Sequence, residues 1–157
     1  MITAITMYTL STAIHVVFVV SFLATAGSFA VIGPMAKENP QHVTFALKVM
    51  LKIFVTFVFP GLLVVWGTGL NQASDGGWEA SDLWLTISVI IFAYMTIVAA
   101  FVLYPATKSA LAEIEGQSEP GPPSTKAQSD LKKLGIFGPI QGLGLMVITF
   151  LMVAKPF

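Results

Sequence analysis

The chain of 157 residues contains no cysteine and no arginine, and only 10% of its residues are charged. Without cysteine there are no disulfides, no thiolate metal ligands and no thiol redox chemistry, so oxygen atoms, imidazole and the seven methionines are the only donors left for a metal. Eight lysines against eight acids give a formal net charge of zero, which lacks the basic field that a nucleic-acid partner requires. No Asp, Glu, Lys or Arg occurs from Met1 to Ala36, and that run exceeds the roughly 20 apolar residues that cross a hydrocarbon core. No pair of carboxylates falls inside an apolar run, whereas proton- and sodium-coupled transporters usually need one.

What is present is apolar: 55% hydrophobic residues and a mean hydropathy of +0.83 place the chain in the membrane class. Four apolar runs predict an all-α fold, an integral membrane antiparallel four-helix bundle forming a single transmembrane domain over residues 1–157, with spans at about 6–32, 45–70, 83–104 and 134–154. Gly33-Pro34 is expected to close the first span. Asn71 to Asp82 reads as a polar loop with Asp-Gly-Gly turn chemistry, and Ser81 or Asp82 is placed to cap the next helix. Pro105 either ends span three or begins a continuation through Ala110 and Glu115. Residues 116–130, around Glu119 to Ser124 (EPGPPS), read as a flexible linker, and Lys155-Pro156 stops span four. Ala24-Thr25-Ala26 has the form of a signal cleavage site, but no positive charge precedes the apolar run, so it reads as part of the first span. No internal repeat is evident.

The lysines set an expected orientation. Connections one and three, with the adjoining helix ends, hold Lys37, Lys48, Lys52, Lys108, Lys126, Lys132 and Lys133, while Lys155 stands alone on the other side. The positive-inside bias then makes those connections cytoplasmic and puts both termini outside, in a bacterial inner (plasma) membrane. Trp66, Trp78 and Trp84 fall toward the outer interface, where indole rings prefer to sit.

His15 is the residue most able to carry chemistry, because an ionisable group within a span is costly and is by default a functional hypothesis. Ser11, His15, Phe18, Ser21, Phe22, Thr25 and Ser28 share one side of the helix, so His15 is expected to face the bundle interior near mid-depth. It is a candidate haem ligand, metal ligand or proton relay. The structural alternative is a neutral imidazole bonded to a hydroxyl such as Tyr94 or Thr149, holding helices together. The only other histidine, His42, lies in a cytoplasmic connection, so a haem would need His15 alone or His15 with Met95 or Met146. Pro60-Gly61 interrupts span two and frees the carbonyl of Thr56, which either kinks the helix or lines a site. Gly138 and Gly142 give span four a small-xxx-small face for close packing within the chain or against a partner. Lys48, Lys52, Lys132 and Lys133 are candidates for contact with anionic lipid headgroups, or serve only as topology determinants.

Ala13-Ile14-His15, the Thr68-Gly69 pair ending span two, Trp84-Leu85 at the start of span three and the terminal Met152 to Pro156 together resemble a family of small bacterial predicted integral membrane proteins with no assigned function. Through it the chain is distantly similar to the membrane domain of copper resistance protein D and to the four-helix haem-binding protoporphyrinogen oxidases. In those oxidases a histidine in span one works with a lysine in a later span; His15 fits the first position, and span three carries no lysine. Three functions are therefore expected. The first is a non-catalytic membrane subunit or accessory protein of a larger membrane complex, with membrane lipids and partner subunits as its associates. The others are a haem-binding electron-transfer or oxidoreductase protein with His15 as axial ligand, and a copper or small-solute permease.

Overall fold

The computed structural model describes residues 6–38, 42–79, 81–117 and 122–156. Every regular element among them is helical: α1 (Met7–Glu38), α2 (Val43–Ile53), a π-helical turn π1 (Phe54–Val58), α3 (Phe59–Asp75), α4 (Leu83–Val98), a second π-helical turn π2 (Ala99–Leu103), α5 (Tyr104–Glu115) and α6 (Thr125–Ala154). α2, π1 and α3 form one continuous rod, as do α4, π2 and α5, so four rods are long and apolar enough to cross a membrane. The sequence dictates this because apolar backbone in a bilayer must satisfy its own hydrogen bonds, and only a helix does so within one segment.

The rods are longer than the apolar runs. Val43–Asp75 and Leu83–Glu115 hold 33 residues each, roughly 50 Å at 1.5 Å per residue, against about 30 Å of hydrocarbon. α1 does not stop at Gly33-Pro34 as expected but runs on to Glu38 with Pro34 inside it. Nothing in the sequence before Glu38 offers the backbone another partner, so losing one hydrogen bond at proline costs less than unwinding a turn in lipid. Of the two readings open at Pro105, the structure has the continuation, which runs to Glu115. The expected linker is shorter than 116–130, because α6 already begins at Thr125. Ser124 caps it, accepting from the Ala127 N–H at 3.1 Å and donating to Glu113 at 2.9 Å. The core of that linker, residues 118–121, lies outside the described residues.

One end of the bundle carries the tryptophans. There α3 closes on Gly76, Gly77 takes a left-handed φ of 65°, and Asp82 occupies the N-cap position of α4 while its carboxylate accepts from the Glu79 N–H at 3.0 Å. α6 ends at Lys155, whose left-handed backbone (φ 41°) brings its ammonium 4.4 Å from the Trp78 ring and 5.1 Å from Trp84. The other end carries the lysines, where Lys48 pairs with Glu115 at 2.7 Å and Lys126 with Glu113 at 3.1 Å.

The core sits at mid-depth: Phe22 of α1, Leu62 and Val65 of α3, Met95 of α4, and Leu145 and Ile148 of α6. Two close approaches set it. A side chain at Gly61 would meet Phe22 at 2.8 Å and Phe18 at 3.1 Å, and one at Gly144 would meet Met95 Sδ at 2.8 Å. A second core toward the lysine end is built on Phe54, Val98, Ala99 and Leu103.

Candidate functional site

Each π turn immediately precedes an aromatic residue and a proline: Phe59-Pro60 after π1, and Tyr104-Pro105 after π2. Proline has no N–H to give the preceding turn, and the widened turn hands bonds on with an i→i+5 step, as from the Phe59 N–H to Phe54 O and from the Tyr104 N–H to Ala99 O. The two turns are locked to each other by rings: Phe54 lies 5.9 Å from Phe59 and 6.0 Å from Tyr104, and Phe59 lies 5.1 Å from Tyr104. Pro60 is thus the second residue of α3 after a π turn, a join that the proline alone did not reveal.

Inside these turns lies a cavity of about 650 Å³, lined by residues of all four rods. Phe54 and Val58 of the first π turn and Ala99 and Leu103 of the second form one wall, and Phe29 of α1 and Gly138 of α6 face them. Its origin is visible in the packing. α1 lies against α3 and the tryptophan-end half of α6 but makes little contact with α2, whereas α2, α5 and α6 stay together toward the lysine end. The half of α1 that diverges leaves the space. Among the described lining residues the polar side chains are Thr25 and Gln141; no acid, histidine or lysine reaches it. Thr25 bonds back to Ser21 O at 2.9 Å, and Gln141 Nε2 donates to Met95 O at 3.0 Å while its Oε1 has no partner.

The glycines of span four behave differently from one another. At Gly142 a side chain would touch Ala26 at 3.9 Å, the contact of α6 with α1, but at Gly138 it would meet nothing within 4 Å. Gly138 therefore opens the cavity and makes no close helix contact. Pro139, inside α6 and on the same lining, was not singled out in the sequence; only its place beside Gly138 marked it.

His15 is buried, as its helical face implied, but at a different depth and with a different partner from those expected. Its Nδ1 lies 2.9 Å from Thr68 Oγ1. That hydroxyl donates to Val64 O at 2.7 Å, which leaves its oxygen to accept from a protonated Nδ1. Gln72 Nε2 and Ser11 Oγ converge on Thr68 O at 3.1 and 3.4 Å. The absence of a side chain at Gly69 admits the ring, whose Cε1 stands 3.3 Å from where a Cβ would be. Tyr94 is exposed, and the Thr149 hydroxyl is spent on Leu145 O. Because α1 extends to Glu38, its mid-depth residues are Phe22 and Ala26, facing Gly61 and Gly142, and His15 lies roughly 10–16 Å from them toward the tryptophan end.

This separates His15 from the cavity. Met95 lines the cavity and packs on Gly144, Met146 lines it too though largely exposed, and His15 does not line it. Among the described residues, the cavity of about 650 Å³ is therefore separate from the one buried imidazole. The purified protein is expected to show no Soret band, and His15→Ala is expected to cost about 1–2 kcal/mol through lost packing and one interhelical hydrogen bond. A Soret band that disappears in His15→Ala would overturn this assignment.

The lysines are divided among separate contacts. Lys48 is paired with Glu115 and Lys133 with Asp130 at 2.6 Å, while Lys52 and Lys132 are exposed. Among the described residues there is no group of three His, Asp or Glu side chains that could hold a metal ion.

Four helices long and apolar enough to cross a membrane define a polytopic helical integral membrane protein. The chain belongs to the family described as predicted integral membrane protein (DUF2269), which it matches over residues 9–156. No curated protein and no solved structure matches it, so the more distant likeness to copper resistance protein D and the oxidases gains nothing from them.

Proposed function

We propose that this protein is a non-catalytic membrane accessory protein that holds one lipophilic molecule, or a single lipid chain, in the lysine-end half of its bundle. The observation that carries the reading is the cavity of about 650 Å³ walled by two π turns. π-helix accounts for well under 1% of residues in general and marks functional sites, so two such turns facing one space are unlike background. The volume falls within the roughly 300–1,000 Å³ of small-molecule sites, and the lining is apolar with a single amide, which suits holding more than reacting. In this reading the lysine end faces the cytoplasm and the membrane is a bacterial plasma membrane.

The test is Gly138→Leu. Open space at Gly138 accepts the side chain, so the variant is expected to fold with equal or slightly higher stability while the bound lipophile, measured by mass spectrometry of solvent extracts of the purified protein, falls at least tenfold. Equal retention in the variant, or a wild-type protein that carries nothing stoichiometric, would overturn the proposal.

A further inference from the structure

A second cavity, of about 400 Å³, lies on the opposite side of the third and fourth rods. Its floor is Phe101 of π2 and Pro105 of α5; its rim is Ser109 of α5 with Lys126, Asp130 and Lys133 of α6. Depth explains the change in chemistry. Counting about 20 residues of hydrocarbon from Trp84 ends the apolar layer near Tyr104, and Ser109 stands roughly 8 Å beyond, in the headgroup layer. The same count back from Ala154 places Lys133, Asp130 and Lys126 just outside the hydrocarbon. Phe101 is 77% exposed, on the surface that meets lipid.

The rim is built to hold an anion against that floor. Lys126 and Lys133 are seven residues apart on one face of α6, about two turns or 10 Å, and both keep solvent-accessible side chains while Glu113 and Asp130 fix their positions. Asp130 is itself buried at 4% exposure, so Lys133 is anchored from within the protein. Ser109 Oγ is buried beside the Asp130 carboxylate and helps hold it in place. Lys48, Lys52 and Lys132, considered with Lys133 from sequence alone, do not line this space.

We propose that this cavity binds a glycerophospholipid, its phosphate bridging the Lys126 and Lys133 ammonium groups and the start of one acyl chain lying on Phe101 and Pro105. A soluble phosphate would use the rim alone; the apolar floor at the boundary of the hydrocarbon selects the lipid.

The experiment uses the full chain, delipidated in detergent, titrated with dioleoylphosphatidylglycerol and followed by native mass spectrometry and thermal midpoint. One lipid is expected to bind with a rise in midpoint. Lys126→Gln with Lys133→Gln is expected to weaken binding at least tenfold, and Phe101→Ser, which touches no ion pair, at least threefold. Lys52→Gln with Lys132→Gln, exposed cations outside the cavity, is expected to leave binding within twofold. Equal weakening by that control pair would show a general charge effect, and an equal midpoint rise with inorganic phosphate would show a soluble-anion site. Either result overturns the proposal, as does unchanged binding in both Phe101→Ser and the Lys126/Lys133 pair.

Discussion

Replacing Phe54 by alanine is expected to destabilise the bundle by about 2–3 kcal/mol. Phe54 is 3% exposed and its ring touches three others: Phe29 of α1 at 6.3 Å, Phe59 at 5.9 Å and Tyr104 at 6.0 Å. It therefore joins both π turns and the diverging half of α1. In a bilayer the apolar transfer term largely cancels, because lipid tails are as apolar as the protein interior. What survives is the void: the ~100 Å³ removed, at about 24 cal/mol per Å³, gives about 2.4 kcal/mol. Phe54→Leu keeps most of the volume and is expected to cost under about 1.5 kcal/mol. Phe45→Ala, on a residue 72% exposed, is expected to stay within about 0.5 kcal/mol. Denaturation in mixed micelles, followed by far-ultraviolet circular dichroism, measures all three. A Phe54→Ala protein no weaker than Phe45→Ala would show that the ring cluster does not hold the π turns together.

The four helices were legible because bilayer thickness translates directly into a count of apolar residues. Their ends were not. Gly33-Pro34 reads as a stop by the statistics of water-exposed helices, where a freed carbonyl finds solvent, yet α1 runs through it; at Pro105 an end and a continuation were both open, and the helix continues. The π turns left no composition signal. Their nearest trace is the recurrence of aromatic-proline at Phe59-Pro60 and Tyr104-Pro105, which gains meaning only when the two meet in space. His15 was visible as a buried residue from the face it shares with Ser11 and Phe18, yet its depth depended on where α1 ends and its partner on which helix α1 meets. Thr68-Gly69 carried that partner. Gly69 admits the ring and the Thr68 hydroxyl is its hydrogen-bond partner, so a pair noted in the resemblance turns out to be the seat of the histidine. The cavity could not be read at all, since it results from the divergence of α1 from α2.

The space that this divergence leaves is apolar. The polar group with an unmet bond near the cavity is one amide oxygen of Gln141, while the imidazole is committed at the other end to tying α1 to α3. Polar side chains elsewhere in the spans are mostly turned inward on their own helix: Ser21, Ser28, Thr56, Ser88, Thr107 and Thr149 each donate to the carbonyl four residues earlier. Such bonds satisfy the hydroxyl without offering it to a neighbour or a solute. The polar groups of this bundle thus supply little glue between helices, and packing must supply the rest.

Gly61→Leu tests that dependence on packing at its tightest point. A Cβ there would stand 2.8 Å from Phe22 Cζ and 3.1 Å from Phe18, and neither ring can bend away, because Phe57 stacks on Phe18 at 6.0 Å and meets Phe22 edge-on at 5.7 Å. Alanine would be an ambiguous probe: its gain of about 1 kcal/mol in helix propensity offsets part of a strain of about 1–3 kcal/mol. Leucine adds three more carbons to the same contact and is expected to destabilise by about 2–3 kcal/mol. Phe22→Ala alone is expected to cost about 2–3 kcal/mol by the void it leaves. Combined, the leucine occupies the space that the ring vacates, so the double variant is expected to be at least 1 kcal/mol more stable than the sum of the two losses. Strictly additive losses would mean that α1 and α3 slide apart to accommodate leucine, and that the mid-depth core is held by α6 against Met95 instead of by Phe22 against Gly61.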